Sequence, residues 1–281
     1  MEEELKLRGY SADTRKAYCG HILRLVRDIR KNPADISGGE IRRYLQSLLE
    51  NKKVSHAYAD QCISSIKFLY GRILNKPLTI NNIPRPKKER KLPEILSRHE
   101  LLGIFHNIKN MKHRLLVMLA YSSGLRVGEV VRLKVIDIIW ERGMIHIKQS
   151  KGRKDRYVML STAVTQLLHD YLRLFNPDLW LFPGFKPERH LNERSAEKVI
   201  QQACERIGIK RKITMHTLRH SFATHLLESG TDLRYIQELL GHKSSKTTEI
   251  YTHVAERNIA SIKSPLDVIM EKEGKGDFTE N

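Results

Sequence analysis

Residues 83–93, Ile-Pro-Arg-Pro-Lys-Lys-Glu-Arg-Lys-Leu-Pro, divide the chain. Three prolines in this stretch fix φ and remove backbone donors, so neither a helix nor a central strand passes through it. Its basic residues, Arg85, Lys87, Lys88, Arg90 and Lys91, leave little to bury. The segment therefore reads as an extended, exposed connector. The chain must fold on either side of it, and 281 residues suffice for a core in each part. This places one domain at 1–83, a basic linker at 84–93 and a second domain at 94–263, ahead of a C-terminal helix and tail at 264–281.

Before the linker, apolar residues recur at helical spacing. Tyr18, Ile22, Leu25, Val26 and Ile29 share one helix face, with Ser11 as N-cap. Ser37-Gly-Gly-Glu40 forms a capping box ahead of Ile41, Tyr44, Leu45 and Leu48. A third helix fits 55–70, with Tyr58, Cys62, Ile66 and Leu69 as its stripe. This part reads as a small helical bundle.

After the linker, Ser97-Arg-His-Glu100 is a second capping box, before Leu101, Leu102, Ile104, Phe105 and Ile108. A helix through Leu115 and Tyr121 stops at Gly124. The period then changes. Gly-Met-Ile-His-Ile-Lys-Gln from Gly143 and Asp-Arg-Tyr-Val-Met-Leu from Asp155 alternate as strands, with the chain turning at 150–155. Helices follow at about 192–207, 215–229 and 232–240. The fold class is mainly α with a small antiparallel β-sheet. Near the end, Ser264 caps a short helix, Pro265–Lys272, with Leu266, Ile269 and Met270 as its apolar set. The tail from Gly274 reads as disordered.

The net charge of +18 calls for a polyanionic partner, nucleic acid first and an anionic membrane second. The run Leu115 to Tyr121 is far too short to span a bilayer, and the acidic start Met-Glu-Glu-Glu is unlike a signal peptide. The expectation is no membrane and a cytoplasmic, nucleoid-associated protein. Cys19, Cys62 and Cys204 form no CxxC pair and read as small buried hydrophobes in a reducing compartment.

The chemistry-bearing residues are individually weak signals. His216 and Arg219 share a face at a helix start, where N–H groups and the dipole favour an anion. An arginine forks onto phosphate oxygens, although such a pair taken alone is more often a surface ion pair. His216 and His220 have metal-ligand spacing, but there is no HExxH and no Cys or carboxylate cluster, so no metal site is expected. Leu218, Phe222 and Leu226 read as core, and His220 and His225 as hydrogen-bonded structural histidines. Arg126 follows the Gly124 turn and starts a new helix, where its ordinary role is an i,i+3 pair with Glu129. Lys151 stands beside Gly152 in a turn, and His242 follows Gly241, where it could merely cap a helix.

Together they carry more. The order Arg126, Lys151, His216-x-x-Arg219, Gly241-His242, Tyr251 resembles the phage-integrase-like tyrosine recombinase family. Residues 216–254 look like its Xer branch. Gly-Leu-Arg126-Val-Gly-Glu129-Val is similar to the family's first arginine box, and residues 150–160 to its catalytic hairpin. Met159 departs from the pattern, since related hairpins often carry proline there. The resemblance covers the chain in domain order and is motif-specific from about Ser97 to Val254.

The resemblance implies a SAM-like N-terminal core-binding domain, a catalytic domain, and site-specific strand exchange through a 3′-phosphotyrosyl intermediate without metal, cofactor or ATP. The absence of a P-loop pattern agrees. Arg126, Arg219 and His242 suit donation to the non-bridging phosphate oxygens. Tyr251, with an ordinary pKa near ~10, needs help to act as nucleophile. His216 either assists its proton or binds the phosphate. Lys151 suits protonation of the leaving 5′-oxygen, and Glu129 orients its neighbours. Candidate DNA contacts are Arg42, Arg43, Lys52, Lys53, the linker cations, Arg153 and Lys154. The implied partners are duplex DNA carrying a specific site and further copies of the chain, in a cyclic tetramer joined through Pro265–Lys272. Chromosome-dimer resolution is the implied role. A type IB topoisomerase-like activity uses the same chemistry on one duplex, whereas a non-catalytic DNA-binding regulator has no need of Tyr251 or Lys151. A metal-dependent nuclease lacks acidic ligands.

Overall fold

The computed structural model describes residues 1–50, 54–76, 92–148, 155–241 and 248. The chain forms two compact units, 1–91 and 92–281.

The first unit is helical. α1 (Glu2–Leu7) precedes α2 (Ala12–Ile29), whose N-cap Ser11 accepts from the Thr14 N–H. α3 (Gly38–Glu50) starts at the anticipated capping box: Ser37 N–H donates to Glu40, and Glu40 N–H donates back to Ser37 Oγ. α4 (His56–Phe68) continues into a wider turn at Leu69–Ile73. α2, α3 and α4 pack on one another through Ile22, Leu25, Ile41, Leu45, Cys62 and Ile66, all buried. Each such aliphatic side chain contributes about 1.5–3 kcal/mol. Beside this core, Tyr10, Tyr18 and Phe68 form an aromatic cluster. Tyr70 is fully buried and donates its hydroxyl to the Pro33 carbonyl at 2.7 Å.

In the second unit, α5 (Arg98–Asn107) starts at the Ser97–Glu100 capping box. Leu101 and Ile104 are buried, but Leu102 is 55 % exposed because it lies off the inward face. α6 (Met111–Ser122) carries the apolar run seen in the sequence. It is surrounded by α5, α7 (Val127–Val131), α8 (Thr162–Phe175), α9 (Glu193–Arg206) and α10 (Met215–Glu228), which explains why Leu115, Leu116, Val117 and Leu119 are all fully buried. α11 (Leu233–Leu240) packs on α10. The two expected strands are present as β2 (Met144–Ile147) and β3 (Arg156–Met159). A short β1 (Ile138–Ile139) adds a third, giving an antiparallel sheet in the order β1-β2-β3. Ile147 pairs with Arg156 and Ile145 with Val158. Ile145, Ile147 and Val158 face the core.

Three elements were not anticipated: α1, α8 and β1. Cys62 and Cys204 are buried as expected, whereas Cys19 is only half-buried. Linker residues 84–91 and the C-terminal segment, including Pro265–Lys272, lie outside the described residues. Among the described residues, no helix is long and apolar enough to cross a membrane.

Candidate active site

The site grows from the turn after α6. Gly124 has φ of +60°, and a Cβ there would strike the Phe222 ring. Glycine thus permits both the turn and the close approach of α10. Arg126 then caps α7. Its backbone N–H donates to Glu129 Oε2 at 2.9 Å, and its Nη1 donates to Glu129 Oε1 at 2.7 Å. The anticipated Arg126–Glu129 pair is therefore present, but it is one part of a larger cluster.

Glu129 is the hub. Arg156, from the first position of β3, donates through Nη1 to Oε1 at 2.9 Å and through Nη2 to Oε2 at 2.7 Å. Arg219 Nη1, from α10, lies 3.9 Å from Oε2. Burial by itself would raise the Glu129 carboxyl. The hydrogen bonds and charge of Arg156, followed by those of Arg126, outweigh it and hold the pKa at about 2. Three guanidinium groups thus gather on a carboxylate that stays ionised.

Arg219 is more enclosed than the sequence suggested. It is 1 % exposed and donates Nη1 to the Gly124 carbonyl at 2.7 Å and Nη2 to the Leu240 carbonyl. It is therefore not a surface ion pair. It sews together the end of α6, the start of α7 and the end of α11. A buried guanidinium needs such partners because an unpaired one would carry a large desolvation cost.

His216 stands in the first turn of α10 with one edge open to solvent, and its ring meets His220 edge-on at 4.3 Å. The protein packed against the rest of the ring, then Arg219, then Arg126 push its pKa down, so the neutral imidazole is favoured. His220 is half-buried and falls to about 4 through burial, then His216, then Arg219. His225 and the Tyr121 hydroxyl share a hydrogen bond of 2.9 Å, the structural role expected of it. Leu218 and Phe222 are buried, and Leu226 packs beside them.

An open cleft of about 700 Å³ lies beside α7, lined by Arg126, Glu129, Arg132, Lys134, His146 and Lys148. Arg126 faces it at 25 % side-chain exposure. Its cations outnumber the carboxylates of Glu129 and Asp137 that also line it, so the surface suits an anionic oxygen, with Arg126 held by Glu129.

The structure therefore brings together Arg126, Glu129, His216 and Arg219. Arg42 and Arg43 stand exposed on α3 of the first unit. Lys151, Arg153, Lys154, His242 and Tyr251 lie outside the described residues, as do Lys52, Lys53, Arg85, Lys87, Lys88, Arg90 and Lys91. Sequence reasoning missed Arg156. Its signal was present, since strand alternation puts Arg156 on the same face as Val158 and Leu160, and an inward arginine demands a partner.

Residues 94–258 match the Phage integrase family, and residues 1–80 match the Phage integrase, N-terminal SAM-like domain. Tyrosine recombinase XerD of Oceanobacillus iheyensis is 35 % identical over 273 residues, covering 90 % of this chain and 91 % of its own. The fold is shared with XerH site-specific recombinase bound to palindromic difH substrate in a post-cleavage complex, with a TM-score of 0.73 and 24 % identity, covering 98 % of this chain and 85 % of that one. It is shared equally with a lambda integrase tetramer bound to a Holliday junction, with a TM-score of 0.73 and 21 % identity, covering 93 % of this chain and 78 % of that one. The chain belongs to the phage integrase family of tyrosine recombinases, enzymes that cleave and rejoin DNA at specific sites.

Proposed function

We propose that this chain exchanges DNA strands at a specific site through Tyr251. The observation that carries the reading is the Glu129-centred cluster, which holds Arg126 and Arg219 beside His216. The Tyr251 oxygen attacks the scissile phosphorus, a 3′-phosphotyrosyl bond forms, and the bond to the 5′-oxygen breaks. Lys151 gives the departing 5′-oxygen its proton. Arg126, Arg219 and His242 donate to the non-bridging oxygens, where negative charge develops. His216, favoured neutral, can accept the Tyr251 proton or donate to the phosphate. Because Arg219 is closed off from solvent, a phosphate reaches it only once the surface over it opens. The phosphotyrosyl bond conserves the energy needed for rejoining, so neither ATP nor a metal enters the scheme.

In this reading the first unit clamps the duplex, with Arg42 and Arg43 on phosphates. Lys52, Lys53, the linker cations, Arg153 and Lys154 add to that grip. The overall charge of +18 supports it. Four copies act in a cyclic assembly joined through Pro265–Lys272, a proposal supported by the lambda integrase tetramer. The identity with a XerD recombinase supports chromosome-dimer resolution in the cytoplasm as the role.

The test uses a duplex nicked close to the scissile phosphate. An adduct that survives denaturant should form in EDTA and vanish in Tyr251→Phe. An adduct that persists in the Phe variant, or a strict metal requirement, overturns the mechanism.

A further inference from the structure

Arg156 is the residue that ties the centre together, although no chemical step in the reaction calls for it. It is 8 % exposed and stands at the start of β3. Its two Nη groups fork onto both oxygens of Glu129, and its Nε donates to the Leu239 carbonyl at 2.8 Å. Gly241, with φ of +61°, comes so close that a Cβ there would lie 3.1 Å from Arg156 Cδ. One side chain thus spans three segments: the strand that follows residues 149–154, the start of α7, and the last turn of α11.

We propose that Arg156 is a positioning residue for DNA strand cleavage. It holds Glu129 in the orientation that presents Arg126 and Arg219. It also fixes the end of α11, from which the chain runs on to His242 and Tyr251. The proposal rests on the recombinase reading above.

The physical reason lies in how a carboxylate can be shared. Glu129 accepts from Arg126 on both the backbone and the side chain, and Arg219 stands near its Oε2. A bidentate fork from Arg156 occupies one edge of the carboxylate and fixes its plane. Without the fork, Glu129 is free to turn toward Arg126 or Arg219 and draw on the positive charge they would offer a phosphate. The Nε bond to Leu239 gives the same guanidinium a second task, stopping the end of α11 from sliding past β3. Lysine cannot do both, since it offers a point charge where arginine offers a rigid fork and a third donor.

A merely structural arginine would behave differently. Its loss would lower the melting temperature and leave the cleavage rate of the folded enzyme unchanged. The two cases separate in single-turnover adduct formation on the nicked duplex, at saturating protein, with DNA affinity and thermal melts measured alongside. The set is wild type, R156K, R156Q, E129Q and the double variant E129Q/R156Q. R156Q should slow adduct formation by about 10²-fold and R156K by about 10-fold, each with DNA affinity held within about twofold. The double variant should be no slower than the slower single variant, because both act through one carboxylate. R156Q cleaving at the wild-type rate, or losses that multiply in the double variant, overturns the proposal. If R156Q melts below the assay temperature, R156K decides: a slower rate at unchanged affinity supports positioning, and a wild-type rate overturns it. A wild type that forms no adduct overturns the recombinase reading itself, which is a separate outcome.

Discussion

Two sets of arginines, one in each unit, stand in opposite surroundings. In the first, Arg27, Arg30 and Arg43 rim an open cleft of about 750 Å³ between α2 and α3, all exposed. In the second, Arg156 and Arg219 are almost wholly enclosed. An exposed cation is well solvated and fixes little around it, so it suits a grip on any polyanion. A buried cation must be matched by specific acceptors, so its presence specifies local geometry. Charge on the first unit gives reach, whereas charge inside the second gives placement.

The sharpest way to break this contrast is Glu129→Ala. It should cost about 3–5 kcal/mol in urea unfolding, because buried guanidinium groups lose their carboxylate. Next comes Gly124→Ala, which combines a left-handed backbone with a clash on Phe222 and should cost about 3 kcal/mol. Adduct formation by the same variant should slow in parallel, because Arg219 loses its Gly124 carbonyl partner as the turn shifts.

Acid should then weaken the second unit in two windows. His220 has a folded pKa of about 4 against an ordinary value of 6.5. The unfolded chain therefore takes up the proton first, and stability falls as pH drops from 6.5 toward 4. Glu129 has a folded pKa of about 2 against 4.5. Its stabilisation is complete above 4.5 and is lost as pH falls toward 2. Melting temperature measured across pH should show a shallower upper slope in His220→Gln, where His216 and His225 still titrate below their ordinary value, and a shallower lower slope in Glu129→Gln, where Glu100 is still held at about 2. Equal slopes in variants and wild type would mean that neither group is held by its surroundings.

The smallest effect belongs to the exposed arginines. Arg42→Ala and Arg43→Ala should leave unfolding within about 0.5 kcal/mol of wild type. Each should reduce the salt slope of DNA binding by about 1 if it neutralises a phosphate. A large stability loss in either variant would erase the contrast between the units.

Much of this was legible beforehand. The capping boxes at Ser37 and Ser97 and the stop at Gly124 are local chemistry, satisfied within a few residues. The stripe Val164, Leu168 and Tyr171 of α8 was equally available, at spacings of four and three, and went unread beside the strand signal before it. α1 is six residues long, too short for a periodic signal. At the site, Arg126, His216 and Arg219 were readable from their order, and the Arg126–Glu129 pair from its spacing. Arg156 was hidden among the hairpin's many cations, although strand alternation marked it as facing inward.

The sequence alone determined the helical periods, the division at the proline-rich connector, and the order of the residues that suit phosphoryl chemistry. Those depend on composition and on neighbours a few positions away. Only the tertiary structure decided that Arg219 is enclosed and that Arg156 is the link through Glu129. Arg156 meets Glu129 across 27 positions and Leu239 across 83. Partners so far apart are chosen by how α7, β3 and α11 pack, and the desolvation of the buried charges then leaves them no alternative acceptors in water.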